Sequence, residues 1–184
     1  RLIDAVELAA IEMSRLGIRP GDRVMIVCEN SIAAIVLLYA SSRLDAWAVI
    51  INARLSQHEL DLIERDCRPR RVFYTHAISS DADAHACRRD ADIEPFTGIG
   101  EVKVGKLDAD SVAERVHRDS SRQVAVVIYT TGTTGRPKGV MLSHRSLAFV
   151  ACRGKRTDTI RSDDVSLCVM PISHSYGLTL MQGM

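Results

Sequence analysis

The segment from Tyr129 to Gly139 carries residue types that bind phosphate groups, in the order Tyr-Thr-Thr-Gly-Thr-Thr-Gly-Arg-Pro-Lys-Gly. Glycines let successive backbone N–H groups turn toward one anion, and threonine hydroxyls supply further hydrogen-bond donors. Lys138 adds a positive charge suited to a polyphosphate, and Pro137 fixes the backbone directly before it. We therefore predict a phosphate-binding loop made of Thr130, Thr131, Gly132, Thr133, Thr134, Gly135, Pro137, Lys138 and Gly139.

This loop differs from the P-loop of kinases and other NTPases, in which G-x-x-x-x-G-K-[ST] opens a helix. Here Gly135 is followed by Arg136 and Pro137 rather than by lysine, and the apolar run 140–142 indicates a strand after the loop. The sequence thus predicts a strand, a loop and a second strand. The alternative is a hairpin rich in threonine and glycine that binds no ligand, and the ordered chemistry of the whole segment disfavours it.

His174 is a second candidate, because it lies in a turn-like segment between Pro171 and Gly177. A single histidine near the end of a strand is more often a structural hydrogen-bonding residue than a catalytic one. An imidazole beside a proline can also orient a carboxylate or donate to developing charge. Tyr176 could line a pocket or simply pack. His144 follows Ser143, a suitable helix cap, and we interpret it as structural.

The segments around these candidates alternate between strand-like and helix-like patterns, as expected for a parallel sheet covered by helices. Strands are predicted at 24–27, 48–51, 71–74 and 123–129, with a further strand-like run at 165–170. Helices are predicted at 2–16, from a cap at Ser31 to about Trp47, and from a capping box of Ser56 and Glu59 to about Asp66. Residues 79–122 give no clear pattern beyond glycine turns, so we divide the chain into a first α/β portion, 1–122, and a phosphate-loop portion, 123–184.

The composition excludes several classes of protein. The chain has 184 residues, 46% of them hydrophobic, and 24 Lys and Arg against 23 Asp and Glu. This balance excludes a disordered chain and gives no electrostatic reason to bind nucleic acid or an anionic membrane. The most apolar run, 32–40, is too short to span a bilayer. Five scattered cysteines without a C-x-x-C pair indicate reduced thiols and a cytoplasmic location.

The string from Tyr129 to Val140 resembles the signature of the adenylate-forming, or AMP-binding, enzymes, which include acyl- and aryl-CoA synthetases, luciferases and the adenylation domains of peptide synthetases. Pro171, His174 and Gly177 match the family's downstream Pro-x-x-His-x-x-Gly element, and residues 51–56 are most similar to the acyl- and aryl-CoA ligases. The resemblance implies an α/β fold with parallel-rich sheets layered with helices, as part of the family's large amino-terminal domain.

The resemblance also implies a function. The loop would grip the β- and γ-phosphates of ATP, with Thr130 contacting the accompanying Mg²⁺, and His174 would orient the substrate rather than act as general base. The expected reaction joins a carboxylic acid to ATP as an acyl-adenylate and then to coenzyme A as a thioester. Two alternatives stay open: an adenylation domain that loads a carrier protein, and a non-catalytic nucleotide-binding protein. Self-association into a homo-oligomer is also left open.

The family's later elements do not occur in these 184 residues. They are a Tyr-Gly-x-Thr-Glu element, an aspartate that binds the ribose, a hinge, and a carboxy-terminal domain that brings a catalytic lysine. We therefore expect a partial amino-terminal adenylation domain without the carboxy-terminal domain, inactive by itself.

Overall fold

One mixed sheet organises the chain. The computed structural model describes residues 1–131, 137–154, 165 and 167–183. The elements in chain order are α1 (Leu2–Arg15), β1 (Arg23–Cys28), α2 (Ile32–Arg43), β2 (Trp47–Asn52), α3 (Gln57–Cys67), β3 (Arg71–Tyr74), α4 (Ser80–Arg88), β4 (Asp92–Phe96), β5 (Gly100–Val104), β6 (Val124–Thr131), β7 (Pro137–Ser143), α5 (His144–Gly154) and α6 (Ser175–Gly183). Seven strands form the sheet in the order β4-β5-β3-β1-β2-β6-β7, which confirms the predicted α/β class.

The four central strands, β3, β1, β2 and β6, run parallel. Helical crossovers join most of them, as parallel pairing requires. The hairpins β4–β5 and β6–β7 add antiparallel pairs at the two sides of the sheet. Strands from both sides of residue 122 therefore share one sheet, and the division of the chain there stays a prediction. The carboxyl ends of the central strands meet at one edge, which is where open α/β sheets bind ligands.

Both faces of the central strands are buried, which explains why these strands are almost continuously apolar. Val24 and Ile26 of β1 point into a cluster covered by α1 and α2. Met25 and Val27 point to the other face, where α3 and α4 cover them. A shift of β1 by one residue would move each of these side chains to the opposite face of the sheet, so the packing on the two faces fixes the register of β1.

The predicted helix caps are present. The Ser31 hydroxyl accepts a hydrogen bond from the Ala34 amide at 3.2 Å and begins α2. Ser56 and Glu59 form the predicted capping box at the start of α3. Gly17 follows α1 with a φ of +90°, as predicted for a left-handed residue after a helix.

The predicted end of α2 near Trp47 is wrong, because the helix ends at Arg43. The chain reverses at Asp45, whose φ is +54°, and the Ala46 amide donates to the Ser41 carbonyl at 2.9 Å. Trp47 then begins β2. Apolar residues beyond Arg43 continue the helical pattern in the sequence, but they belong to the turn and the strand.

The strand predicted at 165–170 is also wrong for the residues described there. Residues 165 and 167–170 lie outside any strand, and Val165, Leu167 and Val169 are 99%, 86% and 72% exposed. In the described part of the chain, no strand pairs with this segment, and its carbonyls bond instead to a side chain described below. None of the helices in the described ranges has the length and hydropathy needed to cross a bilayer.

Candidate functional site at the carboxyl edge of the sheet

The predicted phosphate-binding residues lie on the β6–β7 hairpin. Thr130 and Thr131 end β6, and Pro137, Lys138 and Gly139 begin β7. The two predicted strands are therefore confirmed, although β6 extends two residues beyond the predicted end at 129. The remaining predicted loop residues, Gly132, Thr133, Thr134 and Gly135, lie outside the described residues.

Thr130 and Lys138 form a cross-strand pair at the mouth of this hairpin. Residues directly opposite each other in antiparallel strands share a face, with Cβ atoms about 5 Å apart. Both side chains are exposed, and within the described ranges Lys138 makes no ion pair. A threonine oxygen is a ligand type that Mg²⁺ accepts, and an ammonium group suits phosphate oxygens. The pair thus offers a hydroxyl and a cation to one anionic ligand.

Gly139 serves the packing of the hairpin's other face. Its cross-strand partner is Tyr129, whose ring lies over the glycine. A Cβ at position 139 would lie 3.0 Å from Val127 Cγ1 and 3.1 Å from Tyr129 Cζ. The Tyr129 hydroxyl donates to Asp66 of α3, and burial together with this bond raises the pKa of Tyr129 above its usual value. The packing against Val127 and Tyr129 therefore explains why a glycine occupies position 139, and its contact with phosphate stays a prediction.

His174 lies in a tight turn that leads into α6. The His174 amide donates to the Pro171 carbonyl at 3.0 Å, and the Leu178 amide donates to the His174 carbonyl at 3.0 Å. A Cβ at Gly177 would clash with the Pro171 carbonyl oxygen and lie 2.7 Å from that of Met170. The spacing of Pro171, His174 and Gly177 is therefore explained by a turn after which α6 packs directly on the backbone of residues 170 and 171.

The side chain of His174 is exposed, and its ring orientation is partly fixed. Its Nδ1 accepts a hydrogen bond from the Tyr176 amide at 3.3 Å. The neutral ring consequently carries its proton on Nε2, and none of the residues that the structure describes accepts a hydrogen bond from that atom. Tyr176 is 56% exposed, and it takes part in this arrangement through its backbone amide.

A cleft of about 360 Å³ lies between the ends of β1 and β2 and the His174 turn. Glu29, Asn30 and Arg54 line it from the strand ends, and residues 171–173 line it from the turn. Arg54 Nε donates to Glu29 Oε1 at 2.6 Å, which joins the ends of the two strands. Because only β2 separates β1 from β6, the end of β1 lies about 10 Å from β6 across the sheet, and β2, which also lines the cleft, is the direct neighbour of the β6–β7 hairpin.

His85 and Asn30 are two site-supporting residues that the sequence did not single out. The buried His85 Nε2 lies 3.1 Å from the carbonyls of Ala53 and Leu55, so it holds the loop that carries Arg54. The sequence around His85 does not indicate this contact, because residues 79–122 show no clear helix or strand pattern. Asn30 directly precedes the predicted cap Ser31, but its own contacts are visible only in the fold.

The buried cysteines do not offer a reactive thiolate. All five are free thiols. Burial raises the pKa of Cys28, at the floor of the cleft, to about 12, and that of Cys67 to about 12 as well. Both thiols stay protonated near neutral pH and do not supply a nucleophile. Within the described residues, no group of three or more His, Cys, Asp or Glu side chains is placed to hold a metal ion.

The chain matches the AMP-binding enzyme family over residues 2–184. It belongs to that family. A long-chain-fatty-acid–CoA ligase, FadD13 of Mycobacterium tuberculosis, is 33% identical over 176 residues, which cover 91% of this chain and 33% of the relative. A 2-succinylbenzoate–CoA ligase of Bacillus cereus is 32% identical over 173 residues, covering 92% of this chain and 32% of the relative.

Solved structures agree with this membership. The N-terminal domain of FACL13 from M. tuberculosis, bound to an inhibitor, superposes with a TM-score of 0.74 at 29% identity, over 99% of this chain and 46% of that one. ATP-bound MatB from Rhodopseudomonas palustris gives a TM-score of 0.72 at 28% identity, over 98% of this chain and 36% of that one. The chain therefore spans about a third of the length of the relatives named above.

Proposed function

We propose that this chain works in an ATP-dependent ligase that activates a carboxylic acid and transfers it to coenzyme A. A carboxylate oxygen attacks the α-phosphorus of ATP, and the bond from that phosphorus to the bridging oxygen of the β-phosphate breaks, which releases pyrophosphate. The sulfur of coenzyme A then attacks the acyl carbon, a thioester forms, and AMP leaves. Neither step requires a nucleophile from the protein, in agreement with the high pKa of the buried Cys28 thiol.

The observation that carries this proposal is the placement of two motifs at one edge of the sheet. The Thr130–Lys138 pair ends one hairpin at this edge, and the His174 turn lies against the end of β1, two strands away. A ligand with a polyphosphate at one end and a carboxylate nearby matches this distribution of donors. The names of the relatives, ligases for a long-chain fatty acid and for 2-succinylbenzoate, support coenzyme A as the acceptor.

Each residue has a stated part. Lys138 neutralises charge that accumulates on the departing pyrophosphate, and the hairpin holds that group in line with the attacking oxygen. Thr130, Thr131 and the loop residues 132–135 supply the remaining phosphate donors. His174 orients the carboxylate through its Nε2 proton. The hydroxyl of Thr130 would hold Mg²⁺, whose bound form would neutralise phosphate charge.

The test uses the complete gene product with Mg·ATP and a panel of fatty and aromatic carboxylates. We expect AMP release that requires both one of these carboxylates and coenzyme A, with the thioester identified by mass spectrometry. Carboxylate-dependent adenylate without transfer to coenzyme A would favour the loading of a carrier protein instead. Nucleotide binding with no adenylate on any carboxylate would favour the non-catalytic alternative.

Two further parts of the proposal follow from the length and the thiols. Because the chain spans about a third of those relatives, we expect the 184 residues alone not to complete the reaction. Acyl-adenylate formed by these residues in isolation would contradict this. We also place the protein in the cytoplasm, where ATP is available and free thiols persist.

A further inference from the structure

Asn30 connects the first strand of the sheet to the segment that precedes His174. It lies two residues after the end of β1 and directly before Ser31, the cap of α2. Its Nδ2 donates to the Cys168 carbonyl at 3.1 Å and to the Met170 carbonyl at 2.9 Å. Its Oδ1 accepts from the Ile172 amide at 2.9 Å. One side chain thus holds three backbone groups that lie about 140 residues further along the chain.

These three bonds use both the donor group and the acceptor atom of the asparagine side chain. The NH₂ group supplies both of its protons, and the carbonyl oxygen takes the N–H. The reversed amide would place its oxygen against two carbonyls and its NH₂ against an N–H, so only one orientation is consistent with the partners. Aspartate has the same shape but no proton to donate, and alanine can make none of the three bonds.

Apolar burial does not hold the beginning of this segment. Leu167 and Val169 are 86% and 72% exposed, whereas Ile172 and Leu178, after the tethered stretch, are 2% and 0% exposed. The hydrophobic core therefore anchors the turn and α6 only from Ile172 onward. Among the described residues, the hydrogen bonds of Asn30 connect the chain before Pro171 to the end of β1.

We propose that Asn30 is a positioning residue that sets the place of His174 at the carboxyl edge of the sheet. The tether ends at Ile172, and the next hydrogen bond closes the His174 turn on the Pro171 carbonyl, so a shift of the tethered stretch shifts the imidazole. A displacement of about 1 Å near a reacting centre can cost roughly 100-fold in rate. The inference rests on the proposed function, because the position of His174 matters for rate only if the carboxylate binds there.

Two variants test the tether, Asn30→Asp and Asn30→Ala, and Asn52→Asp is the matched control. Asn52 lies on the same cleft at the end of β2, and its Oδ1 accepts from the Arg54 amide at 3.0 Å, a bond that aspartate keeps. Asn30→Asp also places a negative charge at the start of α2, which favours the helix and protects the fold. The three proteins thus separate loss of the tether from an added charge at the cleft.

The first measurement is amide hydrogen exchange in the complete gene product, which needs no activity. We expect the Ile172 and His174 amides to exchange at least about 10-fold faster in Asn30→Ala than in the wild type. In the variant, local opening of the segment no longer costs the free energy of breaking the hydrogen bonds to Asn30. The amides of β6 and β7 should keep their rates. Equal exchange at Ile172 and His174 in the wild type and Asn30→Ala would overturn the inference, whatever the activity.

The second measurement separates positioning from general loss of structure. In Asn30→Asp we expect kcat/KM for the carboxylate to fall about 10- to 100-fold. We expect KM for ATP to change less than about twofold, since the β6–β7 hairpin makes none of the bonds to Asn30. An equal loss in Asn52→Asp, or a parallel loss in both substrates, would contradict positioning by Asn30. A wild type without adenylate on any carboxylate would refute the proposed function, and the exchange rates would then still decide the tether.

Discussion

The two motifs at the carboxyl edge are held by different kinds of interaction. The β6–β7 hairpin is part of the sheet, with β6 bonded to β2 on one side and to β7 on the other. The His174 turn belongs to no strand among the described residues, and the side chain of Asn30 ties its approach to β1. The first motif is positioned by backbone ladders, and the second by one amide, a close backbone contact at Gly177 and the buried side chains of Ile172 and Leu178.

This difference predicts where each motif is vulnerable. A backbone ladder tolerates most side-chain changes, so the hairpin should respond mainly to residues that alter its packing. A turn held by few contacts should respond sharply to single substitutions. Under the proposed function, the hairpin held by the sheet would bind the phosphates, and the less constrained turn would lie beside the carboxylate.

Gly177→Ala should have the largest effect on the turn. Its new Cβ would meet the carbonyls of Pro171 and Met170, and backbone atoms cannot move aside as the end of a side chain can. We expect the free energy of unfolding to fall by about 3 kcal/mol, or the turn to lose its protection from hydrogen exchange while β6 and β7 keep theirs. Denaturant unfolding with the exposed Ser175→Ala as control measures this. Equal stability of the two variants would mean that α6 does not pack on these carbonyls.

Gly139→Ala should have a smaller effect on the hairpin. The new methyl group would press on the Tyr129 ring, which its bond to Asp66 holds in place. We expect a loss of about 1–2 kcal/mol in the wild type and a smaller loss in a Tyr129→Ala background. A double-mutant cycle by chemical denaturation gives the coupling. Additive losses would show that the ring does not explain the glycine.

Tyr129→Phe should have the smallest effect, and it depends on pH. The folded state raises the pKa of Tyr129 above that of an unfolded tyrosine, about 10, so its contribution is present below that pH and is lost as the pH rises further. We expect the variant to lose about 1 kcal/mol at pH 7 and to fall less steeply than the wild type between pH 9 and 11. If the stabilities of the wild type and Tyr129→Phe fell in parallel over this pH range, the Tyr129–Asp66 hydrogen bond would not contribute to the stability of the hairpin.

Local patterns predicted much of the fold, and the failures have physical causes. Buried parallel strands such as β1 are apolar on both faces, and caps such as Ser31 act within one turn, so both are readable from neighbouring residues. The end of α2 is not, because the left-handed turn at Asp45 interrupts an apolar pattern that continues into β2. The hairpin β4–β5 is short and pairs with β3 across the chain, which no local pattern reports.

The site divides in the same way. The residues of the predicted phosphate loop form one contiguous segment, so their types are enough to predict it, whereas the pairing of Thr130 opposite Lys138 is visible only in the register of the strands. The His174 turn was found through spacing and resemblance, but Asn30 is 144 residues away from His174 in sequence and joins it only through the fold. The contact of His85 with the carbonyls of Ala53 and Leu55 is likewise set by tertiary packing.

The central claim is that the hairpin at the carboxyl edge binds the phosphates of ATP during adenylation. Carboxylate-dependent exchange of pyrophosphate into ATP by the complete gene product tests it most directly. We predict that Lys138→Ala lowers the exchange rate by about 100-fold, the cost of removing one donor to developing charge. Lys106→Ala, an exposed lysine after β5 at the opposite edge of the sheet, should retain the wild-type rate. Exchange by Lys138→Ala at the wild-type rate would contradict the account.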